Sequence, residues 1–423
     1  MKTLFKKVLS ILIALACTFL FACAYAADKE GGGYYGDMVE TVPGATEDGE
    51  TGGGEETQEN QIQKPAGLLT AGAWNDNDNY EDWLKLFSQE DVENVGKFAH
   101  YLSDADLSWG FNTMNRVVVE VKNAETAVTG ATVVSKDEEG NILYKAVTNS
   151  NGKAYLFPNV QNGIVEVCSG EGIATAIFDE QTKHLTVNLE KSLEKTNLIE
   201  LIFVIDVTGS MGDELEYLKN EIADVINKVA LADANTQINL ALLFYRDHTD
   251  SEVFKYYDFE NVSKEEGMVK QQNAINLQRA SGGGDYEEAV DEALAIAVGK
   301  QWTASTSTKI IFHVLDAPPH NEKKNKTTFK GAVDVATELG IRICPLLCSG
   351  AASLTEYLMR EAAISTGGTF VYLTDDSGIG NEHHDPNLPN VTIEALNSLM
   401  VRLIKGYHSG IFEDPIDWRQ EIK

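Results

Sequence analysis

The chain has 423 residues and 65 acidic against 34 basic side chains, which gives a formal net charge of −31 at pH 7. This length allows two or three domains with buried cores. So acidic a chain is repelled by nucleic acid and by anionic lipid surfaces, and we expect neither as a partner.

The N-terminus has the pattern of a secretory signal peptide, predicted for residues 1–26. Lysines precede an apolar run at 8–21, and a stretch of small residues follows it. The run is too short to favour a permanent membrane helix. Cleavage before Ala27 would give a soluble product, whereas lipidation of Cys23 would give an anchored one, and the sequence leaves both open. We expect an extracytoplasmic protein, secreted or lipid-anchored at a bacterial cell surface, which would contact the membrane only if the lipid anchor forms.

Two segments of different character follow. Residues 27–66 are rich in Gly, Glu and Thr and nearly free of aliphatic side chains, which predicts a disordered acidic tether. Residues 67–112 contain Trp74 and Trp83 and predict a short helical segment that docks through its aromatic side chains.

Residues 113–192 show short alternating strands separated by turn signals, a pattern typical of a small β-sandwich. The motif order V-x-V, G-A-T-V, T-N-S-N-G-K-A-Y-L-F resembles the carboxypeptidase-regulatory or transthyretin-like sandwich of exported bacterial proteins. No catalytic constellation occurs in it, so we expect a spacer or recognition module.

Residues 197–408 alternate apolar strand patterns with helix-spaced apolar patterns. Val253–Phe259 follows the preceding strand too closely for a crossover helix and should pair with it antiparallel. Ser263 and Glu266 have the spacing of a capping box for the next helix. The predicted fold is α/β, a doubly wound and mostly parallel sheet with one antiparallel edge strand. The predicted strands are 201–205, 238–245, 253–259, 309–315, 341–347 and 369–373, and the predicted helices are 214–230, 286–298, 329–339, 353–364 and 392–405.

The most informative motif is Asp206-x-Thr208-x-Ser210, directly after the apolar strand 201–205. In an open α/β sheet, the loops after the strands' carboxyl ends form the binding crevice. The motif resembles the metal-ion-dependent adhesion site of von Willebrand factor A domains, the module also found as the integrin I domain. The resemblance covers 197–408 and leaves residues 409–423 as a C-terminal tail.

In that family, three loops supply the ligands. The resemblance gives Asp316 as the third-loop ligand and, in S-G-G-G-D-Y-E-E, Asp285 as the second-loop candidate, with Ser281 as a lesser one. This second loop departs from the integrin pattern and resembles a G-G-G-D-x-x-E variant of other extracellular A domains. The expected ion is Mg²⁺, with Mn²⁺ or Ca²⁺ as alternatives, because hydroxyls and carboxylates are hard oxygen ligands. We expect Asp285 to act through water, since a directly bound extra charge would weaken the ion's attraction for a partner.

Further polar side chains follow other strands on the same rim. We predict Asp247, His320, His383 and His384 to contact a partner. The adjacent histidines raise the alternative of a second, softer ion such as Zn²⁺, against ordinary turn chemistry.

Together these features predict a binding protein, not an enzyme, whose cation engages an acidic side chain of a protein partner in adhesion or surface-complex assembly. One alternative is a metal-dependent regulatory or sensory subunit. Another is a metallohydrolase that uses the rim histidines, although H-E-x-x-H and G-x-S-x-G are missing from the sequence.

Overall fold

The computed structural model describes residues 66–88, 97–232, 235–303 and 306–421. The predicted signal peptide and nearly all of the predicted tether lie outside the described residues. The strands, in chain order, are β1 (Thr70–Trp74), β2 (Val117–Asn123), β3 (Thr126–Ala127), β4 (Thr132–Lys136), β5 (Ile142–Val147), β6 (Lys153–Leu156), β7 (Gly163–Ser169), β8 (Gly172–Phe178), β9 (His184–Asn188), β10 (Leu198–Asp206), β11 (Gln237–Tyr245), β12 (Phe254–Asn261), β13 (Thr308–Leu315), β14 (Ile341–Leu347), β15 (Phe370–Leu373) and β16 (Glu394–Ala395). The α-helices are α1 (Tyr80–Lys85), α2 (Ala99–Ser103), α3 (Gly212–Ala232), α4 (Glu265–Asn276), α5 (Val290–Val298), α6 (Lys323–Leu339), α7 (Ser353–Thr366), α8 (Leu396–Ser409) and α9 (Trp418–Glu421).

The largest sheet is mixed and has the order β12-β11-β10-β13-β14-β15-β1-β16. Its five strands from β11 to β15 in that order run parallel, and β12 pairs antiparallel with β11 as predicted. The central strands are continuous apolar runs because both of their faces are buried. Along β10, Phe203 belongs to one core and Val204 to the other, since successive side chains of a strand point to opposite faces.

Helices therefore cover both faces of this sheet. Apolar side chains of α3, α4 and α8 belong to the core on one face. Those of α5, α6 and α7 belong to the core on the other. Among the described residues, no helix is both long enough and apolar enough to cross a membrane.

The second edge of the sheet differs from the prediction of one antiparallel edge strand. Residues 67–112, predicted to be helical, also supply β1, which pairs antiparallel with both β15 and β16. Gly72 allows this pairing, because a Cβ there would lie 2.5 Å from the ring of Tyr372. The five-residue segment T-A-G-A-W has no periodicity that marks it as part of a distant sheet.

The rest of that segment packs on α6 and α7. Trp83 is fully buried, and its indole N–H donates to Thr113 Oγ1 at 3.0 Å. The guanidinium of Arg360 on α7 donates to both carboxylate oxygens of Asp76, at 3.0 and 2.6 Å. Polar as well as aromatic contacts therefore join this segment to the main sheet.

Strands β2 to β9 form two four-stranded sheets with a common apolar core. Sheet one contains β2, β3, β6 and β9, and sheet two has the order β5-β4-β7-β8. These strands contact the larger sheet's elements directly: Arg342 of β14 donates to Val147 O at 2.8 Å, and Tyr144 OH donates to Ser365 O at 3.3 Å.

The capping box predicted from Ser263 and Glu266 is wrong. Helix α4 begins at Glu265, and its N-cap residue Lys264 makes no side-chain capping bond. The hydroxyl of Ser263 instead accepts from the backbone N–H of Ile238 at 3.0 Å. The Ser263 hydroxyl therefore makes a tertiary hydrogen bond at the start of β11 and does not cap the helix.

Candidate metal centre

The predicted cluster Asp206, Thr208 and Ser210 lies together at the carboxyl end of β10. Asp206 is fully buried, and its Oδ1 accepts from the backbone N–H of Thr208 at 2.8 Å and from the Thr208 hydroxyl at 2.7 Å. The hydroxyls of Thr208 and Ser210 are 3.1 Å apart. Asp206 Oδ2 is buried and has no hydrogen-bond partner of normal geometry among the described residues, although the Tyr245 hydroxyl lies near enough to lower the pKa of this carboxyl.

Asp316 lies beside this cluster, because β13 is the parallel neighbour of β10 and ends at the same edge. Its Oδ1 is also buried and unpartnered within the described part of the chain. Burial raises the pKa of Asp206 to about 8, with the nearby charge of Asp316 adding to the effect. Burial likewise raises the pKa of Asp316 to about 6, opposed by the Ser210 hydroxyl.

A third carboxylate, Glu288, was not predicted as a site residue. It is 3% exposed, and its Oε2 is a third buried oxygen without a partner among the residues described. Burial raises the pKa of Glu288 to about 9, followed by repulsion from Asp206, Asp247 and Asp316. The signal was in the sequence, because Glu288 is the terminal glutamate of the G-G-G-D-x-x-E pattern.

Asp285, predicted as the second-loop ligand, has other neighbours. Its carboxylate lies in a group with Asp247 and His320, in which one ligand atom from each residue lies within 4.8 Å of the others. Ser281, the lesser candidate, has its backbone tied into the site: its N–H donates to Val207 O at 3.0 Å.

The backbone of the glycine-rich loop passes close to the carboxylates of Asp250 and Glu288. Gly282 and Gly283 have φ of +78° and +79°, a backbone conformation that favours glycine. A Cβ on Gly282 would lie 2.1 Å from Asp250 Oδ1, and one on Gly283 would lie 3.0 Å from Glu288 Oε1. The loop can therefore pass this close to the acids only because it lacks side chains there.

The adjacent histidines of the rim do not share a site. His383 is largely buried, and its two ring nitrogens lie 2.7 Å from Asp375 Oδ1 and 2.8 Å from Glu214 Oε1. His384 Nε2 lies 2.8 Å from Glu356 Oε2. Each ring has its own carboxylate, so the geometry gives no support to one Zn²⁺ held by this pair or to a hydrolytic site built on it.

The residues at the ends of β10 and β13 fit a hard divalent cation. Asp206, Glu288 and Asp316 each present a buried oxygen without a protein partner, and such groups need an explanation in a folded protein. Two hydroxyls complete a set made of oxygen alone, as Mg²⁺ prefers. A bound cation would offset the mutual repulsion of the three carboxylates.

One family model matches part of the chain. Residues 200–372 match the model of the von Willebrand factor A domain. The match confirms the resemblance at the level of the domain.

Two curated proteins are similar to parts of the chain. One is a putative ariadne-like RING finger protein, R811, of Acanthamoeba polyphaga mimivirus, 26% identical over 225 residues, which are 49% of this chain and 21% of that protein. The other is the alpha-protein kinase vwkA of Dictyostelium discoideum, 27% identical over 131 residues, which are 31% of this chain and 20% of that protein. The chain thus spans about a fifth of each relative.

Solved structures with local likeness include bacterial proteins. The pilus adhesin SpaC of Lactobacillus rhamnosus GG, in its open conformation, has a TM-score of 0.37 and 10% identity, over 65% of this chain and 35% of that one. The conserved hypothetical protein BatB of Bacteroides thetaiotaomicron has a TM-score of 0.27 and 15% identity, over 53% of this chain and 94% of that one.

Proposed function

We propose that this is an exported bacterial binding protein whose von Willebrand A domain holds a divalent cation, Mg²⁺ first among them, and through it binds an acidic group of a protein partner. The residues proposed to hold the ion are Asp206, Thr208, Ser210 and Asp316. In this proposal Glu288 takes the second-loop role that the resemblance implied for Asp285. The role of such a protein would be adhesion or assembly of a surface complex.

The observation that carries the proposal is the set of three buried, unpartnered carboxylate oxygens on Asp206, Glu288 and Asp316. Burial raises the pKa of all three carboxyls, and repulsion from neighbouring carboxylates adds to the effect: from Asp316 on Asp206, from Asp206 and Asp316 on Glu288, and from Glu214 on Asp316. A cation supplies the missing positive charge, and its attraction for a further oxygen is what would recognise a partner's carboxylate.

The surroundings of the site also suit a protein partner. Ser210 is exposed, so the oxygen cluster opens to solvent on that side. Tyr286, 44% exposed, stands on the same rim, with its hydroxyl donating to Gly350 O at 3.1 Å. Aromatic side chains of this kind are enriched at protein interfaces. The net charge of −31 opposes an acidic partner at long range, so attraction would come from the ion at short range.

The metal site is tested by thermal unfolding of the full chain with and without Mg²⁺. A ligand at about 100 times its Kd stabilises the folded state by roughly 2.7 kcal/mol, so the parent should melt at a higher temperature in Mg²⁺ than in EDTA. Asp206→Ala should abolish the shift. Asp213→Ala is the matched control, because Asp213 is an exposed acid on the same loop-to-helix segment and should keep it. An Asp206→Ala variant with the parent's shift would count against the site.

The binding role is tested by capture of partners from a bacterial surface extract. Partners should bind the parent in Mg²⁺ and be released by EDTA. They should not bind the Asp206→Ala variant in either Mg²⁺ or EDTA. Capture that is equal in EDTA would remove the ion from recognition. The regulatory alternative stays a prediction.

A further inference from the structure

The group formed by Asp247, Asp285 and His320, here called the rim group, stands apart from the oxygen site. It contains two carboxylates and one imidazole, with a ligand atom of each within 4.8 Å of the other two. A nitrogen donor is the chemical difference, because the residues proposed for Mg²⁺ offer oxygen alone. Imidazole with carboxylate suits Zn²⁺ and related transition ions, whereas Mg²⁺ prefers oxygen.

The three side chains come from three loops that the backbone holds in place. Asp247 follows β11, Asp285 lies in the glycine-rich loop, and His320 follows β13. The N–H of Glu288 donates to Pro318 O at 3.1 Å, which ties the second loop to the third. A metal here would therefore bind loops whose spacing is already set.

Hydrogen bonds hold the Asp247 carboxylate in one orientation, as a metal ligand requires. It is fully buried, and its Oδ2 accepts from the Thr249 hydroxyl at 2.7 Å and from the Thr249 N–H at 3.2 Å. Its Oδ1 lies 2.9 Å from His320 Nε2. That contact is a hydrogen bond through one proton, and a cation would take the proton's place between the same two atoms. His320 is partly buried and Asp285 is exposed, so solvent could supply a further ligand.

The acids of the rim group also act on the buried Glu288 of the oxygen site. Glu288 is 97% buried, being 3% exposed, with one oxygen unpartnered within the described residues. Asp206, Asp247, Asp316 and Asp250 all repel its charge. A cation held by Asp247 would offset part of this repulsion.

We propose that Asp247, Asp285 and His320 form a second metal site that binds Zn²⁺, next to the oxygen site and chemically distinct from it. Three protein ligands with an exposed side leave a position for water. The bound ion would fasten the three rim loops to one another. The proposal does not rest on the function proposed above, because its ligands include neither Asp206 nor the hydroxyls.

The test is titration of the full chain with Co²⁺, a spectroscopic substitute for Zn²⁺, followed by ligand-field absorption and by competition with Zn²⁺. His320→Gln removes the nitrogen ligand. Asp285→Asn is the second variant, because Asp285 is exposed and its substitution should leave folding intact. His248→Gln is the matched control, since its ring lies 5.2 Å from that of His320 but outside the rim group.

We expect His320→Gln and Asp285→Asn each to bind one Co²⁺ fewer per chain than the parent, with His248→Gln unchanged. Asp206→Asn should retain the Zn²⁺-competed Co²⁺ signal even if it loses Mg²⁺-dependent stabilisation. This outcome separates failure of the oxygen site from failure of the rim group. Parent stoichiometry in both His320→Gln and Asp285→Asn would overturn the proposal and leave the Asp247–His320 contact as a hydrogen bond between loops.

Discussion

Replacing Glu361 by Gln should stabilise the protein at pH 7.5 and have little effect at pH 4.5. Glu361 lies on α7 and is fully buried. Its Oε2 accepts from the Thr113 hydroxyl at 3.1 Å, while its Oε1 and the Tyr357 hydroxyl have no hydrogen-bond partner of normal geometry in the described ranges. Burial away from water raises the pKa of Glu361 to about 8.

The sign follows from where the proton is held. In the unfolded chain this carboxyl ionises near the ordinary glutamate pKa of 4.5. Between that pH and about 8, the folded protein keeps a proton that the unfolded chain releases, so the free energy of unfolding falls as pH rises. At about 1.4 kcal/mol per pH unit, the loss at pH 7.5 is about 4 kcal/mol as an upper bound.

Glutamine removes this loss and keeps the shape of the side chain. Its carbonyl oxygen can accept from the Thr113 hydroxyl, and its amide can donate to the Tyr357 hydroxyl. We therefore expect a gain of about 2–4 kcal/mol in the free energy of unfolding at pH 7.5. The gain should shrink steadily as pH falls toward 4.5.

The measurement is urea denaturation of the full chain in EDTA, followed by tryptophan fluorescence at several pH values. Glu356→Gln is the matched control on the same helix, also fully buried. Although burial opposes the shift, the hydrogen bond from His384 and the charge of Arg360 lower the pKa of Glu356, so this variant should lose stability at pH 7.5. The reasoning is refuted if Glu361→Gln follows the parent's pH dependence.

Two further predictions concern backbone conformation and buried charge. Gly282→Ala should cost about 1–3 kcal/mol of unfolding free energy, because φ is +78° and the new Cβ would lie 2.1 Å from a carboxylate oxygen. Gly331→Ala, in α6 with nothing within 4 Å of the new Cβ, should gain about 0.5–1 kcal/mol in the same denaturation assay, and equal effects would contradict the argument. Arg360→Ala should cost about 3–5 kcal/mol because it leaves the buried carboxylate of Asp76 without its counter-charge and leaves Glu356 with His384 alone as an ion-pair partner within the described residues. Arg419→Ala, whose side chain is 58% exposed, should change stability by less than about 0.5 kcal/mol, and a loss as large as that of Arg360→Ala would contradict it.

The mixed α/β fold could be predicted from the sequence because its signals are local. A strand buried on both faces needs a continuous apolar run, and the predicted strand at Ile341–Leu347 has the bounds of β14. Helix α3, predicted for residues 214–230, extends over Gly212–Ala232. Apolar periodicity is a property of the segment itself, so it survives without knowledge of tertiary neighbours.

Features that depend on distant residues could not be predicted in this way. Strand β1 pairs with a strand about 300 residues later in the chain, and nothing in T-A-G-A-W marks that partner. The hydroxyl of Ser263 has the spacing of a helix cap, yet the N–H of Ile238 at the start of β11 takes it. In both cases a tertiary contact overrides the structure that the local sequence pattern favours.

The glycine-rich loop of the candidate site also combines a feature that the sequence predicts with one that depends on tertiary contacts. The sequence indicates that a glycine-rich loop brings acids to the strand ends, but Asp285 and Glu288 are only three residues apart. Which of them enters the buried oxygen cluster depends on the positive φ of Gly282 and Gly283 and on the bond from the Glu288 N–H to Pro318 O. These contacts turn Glu288 inward beside Asp206 and leave Asp285 at the surface. If both proposals hold, one loop supplies a ligand to each of two neighbouring sites, and the oxygen site and the rim group should respond to different substitutions.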